Sequence, residues 1–348
     1  MKTDCISFQN YDIRKKIYLQ KDKMETPIFE NRVDLTDLKN ASQQLRAEIG
    51  KVIVGQEKMV DYMLVAILAK GHILLEGVPG IAKTLAAKLM AKTIDTGFSR
   101  IQFTPDLMPS DIIGTTIFNL KTSEFDFKKG PVFSNIILID EINRAPAKTQ
   151  SALFELMEEL QVTVDGVTYK MSEPFIVFAT QNPVEQEGTY KLPEAQLDRF
   201  LFKIEIGYPS IEEEMSIITK HHQNPVLTAL TDIQKILTPA KVAEYQGLIK
   251  SIIVEDHLIR YIAEIVNKTR NNNSLFLGAS PRASLAILNG SKAMAALNGR
   301  DFVKPEDIKE MVYPVLNHRI ILTPEKEMEG VAIKKVISQI VDSIEIPR

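Results

Sequence analysis

The sequence holds a single cysteine, Cys5, and no tryptophan. One cysteine excludes a disulfide within the chain and any cysteine-based metal cluster, which fits a reducing compartment. Long apolar runs are also missing. Met63–Ala69 is one of the longest, far below the roughly 20 residues that a membrane helix needs. Residues 1–30 have no apolar core of signal-peptide length, so a soluble, cytoplasmic protein is expected. Histidine is scarce, with 5 in 348 residues. The adjacent pair His221-His222 would point to different sides of a helix and makes a poor metal site. Charge of one sign is not in excess: the net charge is −3, and no basic stripe appears. Nucleic acid is therefore an unfavoured partner.

What remains is ordinary globular material, 45% hydrophobic and 25% charged, long enough for about two domains. Residues 1–34 read as a polar, flexible leader. A helical pattern runs from Leu35 to Leu45, breaks at Val54-Gly55-Gln56 and resumes over Lys58–Lys70. Five β-rich runs then alternate with helical stretches: His72–Glu76, Phe98–Phe103, Asn135–Asp140, Phe175–Thr180 and Phe202–Ile206. Near-continuous apolar runs such as Ile136-Ile137-Leu138-Ile139 predict strands buried on both faces, hence a parallel sheet in an α/β layer fold. Gln161–Met171 departs from that rhythm, and Asp165-Gly166 within it predicts a hairpin. After Tyr208-Pro209-Ser210 the pattern is helical, near 211–222, 240–248, 255–270, 281–298, 305–316 and 324–344. The expected domains are 35–209, an α/β core, and 210–348, an all-α unit.

Chemistry concentrates where strands end. Gly77-Val78-Pro79-Gly80-Ile81-Ala82-Lys83-Thr84 follows a strand and opens a helix, the context of a phosphate-binding loop. Gly77 and Gly80 let backbone N–H groups converge on phosphate oxygens, and the helix adds its positive end. Lys83 can reach the β- and γ-phosphates, and the Thr84 hydroxyl can coordinate Mg²⁺. The strict pattern has glycine before the lysine, and here Ala82 stands there. A left-handed alanine costs roughly 1–2 kcal/mol, so Ala82 is expected in a right-handed conformation. A plain Gly-Pro turn between strand and helix is the alternative.

Asn135–Asp140 is an apolar strand closed by Asp140 and Glu141. A buried strand offers acids only at its carboxyl end, where ligands bind in open α/β sheets. Asp140 suits Mg²⁺, and Glu141 suits polarisation of an attacking water. Gln181-Asn182-Pro183 ends the next strand. Asn182 reads as an amide that orients that water, or as an Asn-Pro turn. Arg199, in Leu197-Asp198-Arg199-Phe200, reads as a transition-state cation for a neighbouring subunit, or as a salt-bridge partner of Asp198 or Glu194. In Gly278-Ala279-Ser280-Pro281-Arg282, Ser280 suits an N-cap and Pro281 the first helical turn. Arg282 then faces the wrong end of the helix dipole. That placement suggests an anion partner, either a phosphate or a nearby acid.

These segments resemble the MoxR family of AAA+ ATPases over roughly residues 35–345, and alanine before the lysine looks like that family's own variant. The resemblance implies ATP and Mg²⁺ as cofactors, with hydrolysis to ADP and phosphate. Lys83 and Thr84 fall on Walker A, whose stretch runs on to Leu85. Asp140 and Glu141 fall on Walker B, Asn182 on sensor 1, Arg199 on the arginine finger and Arg282 on sensor 2. Val54, Gly55 and Gln56 fall on the stretch bordering the adenine. A five-stranded parallel sheet of order 5-1-4-3-2 with a helical lid is implied, assembled into a ring, typically a hexamer. Such proteins act as chaperones or remodellers of protein clients, often with partners carrying a von Willebrand factor A domain. Residues 114–129 match the helix-2 insert, and 161–171 the insertion before sensor 1. Phe125 reads as a pore-facing aromatic or as one packed within its own hairpin. Asn317-His318-Arg319-Ile320 resembles a terminal basic motif without an assigned job. A motor subunit of a metal chelatase and a nucleic-acid-directed motor are the alternative functions.

Overall fold

The computed structural model describes residues 33–347, apart from 79, 81, 183–189, 191 and 224–231. Two helices come first, α1 (Thr36–Gly50) and α2 (Glu57–Leu68), followed by β1 (His72–Gly77), α3 (Lys83–Thr93) and β2 (Phe98–Gln102). A short helix α4 (Pro109–Ile113) leads into the hairpin β3 (Gly114–Asn119) and β4 (Glu124–Lys129). Next come β5 (Ile136–Asp140), α5 (Ala147–Glu159) and a second hairpin, β6 (Gln161–Val164) and β7 (Val167–Lys170). Then β8 (Ile176–Gln181), α6 (Glu194–Leu197) and β9 (Phe200–Ile206) complete the sheet. Beyond it lie α7 (Ile211–Gln223), α8 (Pro239–Lys250), α9 (Asp256–Arg270), β10 (Leu275–Leu277), α10 (Pro281–Leu297) and α11 (Pro305–Leu316). The chain closes with β11 (Ile321–Leu322), α12 (Pro324–Met328) and α13 (Ile333–Asp342). None of the described helices is long and apolar enough to cross a membrane.

The main sheet has five strands in the order β2-β5-β8-β1-β9, every neighbouring pair parallel. Read from its other edge, this is the expected 5-1-4-3-2 order. All of β5 is buried, as its continuous apolar run requires of a central strand with helices on both faces. β2 lies at one edge, and within it Ile101 alone is buried.

Two local expectations need correction. The span 324–344 is not one helix. α12 stops at Met328, and Gly330 takes a left-handed φ of +68° before α13 begins, as glycine does just past a helix end. The helical region also contains a two-stranded ribbon, β10 with β11, whose strands are too short to leave a period in the sequence. Residues 114–129 form a hairpin, as one of the two readings of Phe125 expected, in which Phe118 pairs across from Phe125, ring centres 5.1 Å apart. Phe125 thus packs within its own hairpin while remaining 74% exposed. The two hairpins meet through Phe127 and Tyr169, 4.6 Å between ring centres.

β9 is the other edge strand, yet most of it is buried. Its free edge is covered by side chains rather than by another strand. Asn317 Nδ2 donates to the Lys203 carbonyl at 3.0 Å, and His318 Nε2 to the Phe200 carbonyl at 3.1 Å. Arg319 donates to the carbonyls of Phe200, Leu201 and Asp198 and, through Nε, to the Asp198 carboxylate at 2.7 Å. The register of β9 against β1 slips here, from His72↔Phe200 to Ile73↔Phe202. A Cβ on Gly71 would come within 2.5 Å of the Leu201 side chain, so glycine is what lets the slipped strand close. The basic motif therefore has a job in this chain: three successive side chains satisfy and seal a sheet edge.

His72 performs a similar service inside the sheet. The Val177 amide donates to its Nδ1 at 3.0 Å, so Nε2 carries the proton and donates to the Met157 carbonyl at 3.2 Å. Burial pushes this imidazole down to about 4, and burial beside Arg319 holds His318 well below its ordinary range.

Two predictions follow from these contacts. Arg319→Met removes one member of a buried ion pair and opens several carbonyls, and is expected to cost roughly 3–5 kcal/mol in urea unfolding. For the histidines, the unfolded chain binds protons near pH 6.5, whereas His72 resists them until about pH 4. Stability is therefore fully present above pH 6.5 and falls as the pH drops toward 4, by up to about 1.4 kcal/mol per pH unit for each such group. Urea midpoints at pH 7 and pH 5 check this, and equal values would show that His72 titrates like a free imidazole.

Candidate active site

The site is built at the carboxyl ends of β1, β5 and β8, where the sheet order makes these strands neighbours. β1 leads through residues 78–82 into α3. Ala82 is the residue before that helix and offers it no side-chain cap. The first N–H groups of α3 are orphan donors by helix geometry, and a helix start of this kind favours anions. Lys83 opens the helix and its Nζ donates to the Gly77 carbonyl.

Ala82 overturns one expectation. Its φ is +60° and ψ +15°, the left-handed region, not the right-handed conformation that its Cβ would prefer. Alternation of left- and right-handed residues turns successive N–H groups inward to make an anion-binding concavity. Ala82 takes a left-handed conformation of that kind even though its Cβ is strained by it. Gly80, with φ +87°, bends the same way without such strain.

The acid pair closes β5. Asp140 is buried, and its carboxylate accepts from Arg100 Nε at 2.6 Å and from Thr180 Oγ1 at 3.2 Å. Glu141 is also left-handed, φ +57°, and its backbone N–H donates to Thr180 Oγ1 at 3.0 Å. That turn swings the Glu141 side chain out of the strand. Its Oε2 accepts from Gln102 Nε2 at 2.7 Å and lies 3.1 Å from Arg144 Nε.

One cavity of about 370 Å³ brings these groups together. It is lined by Gly80, Ala82, Lys83, Thr84 and Leu85 on one side and by Asp140, Glu141, Thr180 and Asn182 on the other, with Arg100 and Gln102 at its wall. The Lys83 loop and the acid pair therefore share one space on the same side of the sheet. Pro79 and Ile81 lie outside the described residues, as does Pro183. Val78 links β1 to the loop and is half-buried. Val54, Gly55 and Gln56 make the turn into α2, with Gln56 at its N-cap and a Cβ on Gly55 meeting Glu213 within 2.3 Å. They do not figure in the lining of this cavity.

Arg199 and Arg282 also stand apart from the cavity lining, and they stand together. Arg199 Nη2 lies 3.0 Å from Glu158 Oε2, and Arg282 Nη2 lies 2.8 Å from Glu158 Oε1. Asp198 is taken up by Arg319 and by Ser280, whose hydroxyl donates to it at 2.8 Å. Ser280 also caps α10 as expected, accepting from the Arg282 amide at 3.2 Å.

Sequence reading missed Arg100, Gln102, Arg144, Thr180 and Glu158. The first two had a usable signal. β2 neighbours β5 in the expected sheet order, and Gln102 is in register with Asp140, so polar residues at the end of β2 had to face the acids. Glu158 had none, because nothing in a helix pattern says which partners its last turn meets.

Family models match two parts of the chain. The ATPase family associated with various cellular activities (AAA) matches residues 72–202, and the AAA lid domain matches residues 267–340. The chain is 46% identical over 310 residues to Chaperone MoxR1 of Mycobacterium tuberculosis, covering 86% of this chain and 81% of that protein. It is 46% identical over 300 residues to the protein YeaC of Bacillus subtilis, covering 86% and 92%. A crystal structure from Cytophaga hutchinsonii superposes with a TM-score of 0.84 at 47% identity, covering 90% of this chain and 97% of the other.

The left-handed alanine generates a prediction. Ala82→Gly removes the Cβ conflict, roughly 1–2 kcal/mol, and adds unfolded-chain entropy of about 0.4–1 kcal/mol. A net stabilisation of about 0.5–1 kcal/mol is expected, read as a higher urea midpoint at unchanged slope. A lower midpoint would mean that Ala82 is right-handed in solution.

Proposed function

The chain belongs to the MoxR family of AAA+ ATPases, and we propose that it binds ATP with Mg²⁺ between the Lys83 loop and the Asp140-Glu141 pair, hydrolyses it there, and uses the cycle to remodel a partner protein. The observation that carries this reading is the single cavity shared by Lys83, Thr84, Asp140, Glu141 and Asn182. Its volume falls in the range of about 300–1,000 Å³ usual for small-molecule sites.

In this reading the loop amides and Lys83 hold the phosphates. Asp140 and the Thr84 hydroxyl are hard oxygen donors of the kind Mg²⁺ takes alongside phosphate and water. The Arg100 guanidinium drawn onto Asp140 marks that carboxylate as a seeker of cations. When bound, the metal ion neutralises charge on the phosphoryl oxygens. Glu141 accepts the proton of the attacking water, and Asn182 orients that water. Val54, Gly55 and Gln56 border the base. Arg199 and Arg282 complete the site of an adjoining copy in a homo-oligomeric ring, for which six copies is our expectation. That neither lines the cavity of its own chain supports that assignment.

We assign residues 35–209 to the nucleotide-binding core and 210–348 to the lid, with a cytoplasmic location. The relative named Chaperone MoxR1 supports a protein client for this chain. A partner with a von Willebrand factor A domain is the candidate that the family suggests.

The test separates binding from chemistry. Glu141→Gln is expected to bind ATP within a few-fold of the parent in calorimetry and to lose hydrolysis by on the order of 10²–10⁴. Lys83→Ala should lose both. Arg199→Ala should bind normally and hydrolyse on the order of 10³–10⁵ more slowly, and mixing it with Lys83→Ala should restore part of the rate. No heat of ATP uptake by the parent chain would falsify the reading at its root.

A further inference from the structure

Glu158 meets two arginines at once. Its two carboxylate oxygens are divided between them, Oε2 to Arg199 at 3.0 Å and Oε1 to Arg282 at 2.8 Å. The guanidinium groups come from distant parts of the chain, Arg199 from the turn entering β9 and Arg282 from the first turn of α10. Without a carboxylate between them, like charges so placed repel. With it, one positive charge is left over.

Neither arginine is saturated by this contact alone. Arg199 Nε is buried and has no hydrogen-bond partner. Its guanidinium carbon lies 5.9 Å from the centre of the Phe154 ring, which limits where the group can swing. Arg282 sits at a helix N-terminus, where the dipole disfavours a cation and an anion must compensate. The contacts remain partly open to solvent, with side-chain exposures of 30% for Arg199, 51% for Arg282 and 40% for Glu158. At this exposure both guanidinium groups can still be reached by a second anion while they are held on Glu158.

We propose that Glu158 is a positioning residue that presents Arg199 and Arg282 side by side to one anion, the triphosphate held by an adjoining copy of the chain. This rests on the reading above that both arginines serve a neighbour's nucleotide. Each arginine has large rotamer freedom. Fixing both before the phosphate arrives removes that ordering cost from the reaction, as pre-organised groups do. Gln at this position keeps the shape but replaces two charged acceptor oxygens with one neutral one and an NH₂ donor, so it cannot give each arginine its own charged oxygen. Asp keeps the charge on a shorter arm.

The experiment is steady-state hydrolysis of Mg·ATP by the full chain. Glu158→Ala and Glu158→Gln are expected to lower kcat by roughly tenfold or more, the usual scale for a misplaced catalytic group. KM for ATP should stay within about twofold, because the nucleotide is held by the Lys83 loop of the other copy. Glu158→Asp should recover part of the rate. Combining Glu158→Ala with Arg199→Ala and Arg282→Ala should add nothing to the loss from the two arginines, since a residue acting through others has no effect once they are gone. An unchanged or raised kcat, a change confined to KM, or a full additional loss in the arginine-free background overturns the proposal. Arg199→Ala and Arg282→Ala, run singly in parallel, separate the two levels. If neither lowers kcat, the reading beneath fails. If both do and Glu158→Ala does not, only the role of Glu158 fails.

Discussion

A buried guanidinium governs how the candidate catalytic parts are held. Arg319 is almost wholly removed from solvent, and burial pulls its pKa downward while its bond to Asp198 opposes that. Moving such a charge out of water is costly unless each donor finds an acceptor. Here the acceptors are the Asp198 carboxylate and the carbonyls of Asp198, Phe200, Leu201 and Val315. All but one belong to the segment that carries Arg199 into β9. The charge is tolerated because an unpaired strand edge supplies the carbonyls. The edge in turn is safe from adventitious pairing because the charge occupies it. Each feature would be a liability without the other.

Strain collects at the opposite end of the same sheet. Ala82 and Glu141 both adopt left-handed backbone, and both line the cavity. Most other non-glycine residues with positive φ stand at helix ends and hairpin turns, such as Leu160 after α5 and Asp165 between β6 and β7. There the conformation serves chain reversal. At Ala82 and Glu141 it serves direction: one sets how the chain enters α3, and the other turns a carboxylate off the end of a buried strand. Thr180 ties the two acids to β8, accepting from the Glu141 amide and donating to Asp140. The strain persists because the surrounding contacts over-determine it.

How much of this the sequence carried depended on the range of the interaction. The five strands were legible because apolar runs such as Ile136–Ile139 are short and rich in β-branched residues, which decides for strand over buried helix. The Asp165-Gly166 hairpin and the Ser280-Pro281 helix start were legible because turn and cap chemistry is local. The cavity followed from strand ends once the order of the sheet was in hand. What stayed hidden was long-range pairing. Arg199 offered two acids close by in sequence, yet its partner is Glu158 from another helix, and Asp198 goes to Arg319 instead. Ala82 misled for a different reason. Local preference favoured a right-handed residue, and the path of the chain from β1 into α3 overrode it, as site geometry overrides propensity elsewhere.

These contacts also decide what can move as a unit. Ser280 makes two links: it caps α10 by accepting from the Arg282 amide, and it donates to Asp198. Arg319, in the turn just past α11, grips the same aspartate and the backbone of β9. Tilting α10 and α11 against β9 would therefore break a buried ion pair and several buried hydrogen bonds together, and interfaces of that kind are bistable rather than continuously deformable. Arg199 and Arg282 stay in step through any smaller motion, because their anchors are shared. The helix that follows the Lys83 loop has its own tie to the helical region: the carbonyl of Thr93, its last residue, accepts from the amides of Ile236 and Leu237 at 2.8 and 3.0 Å.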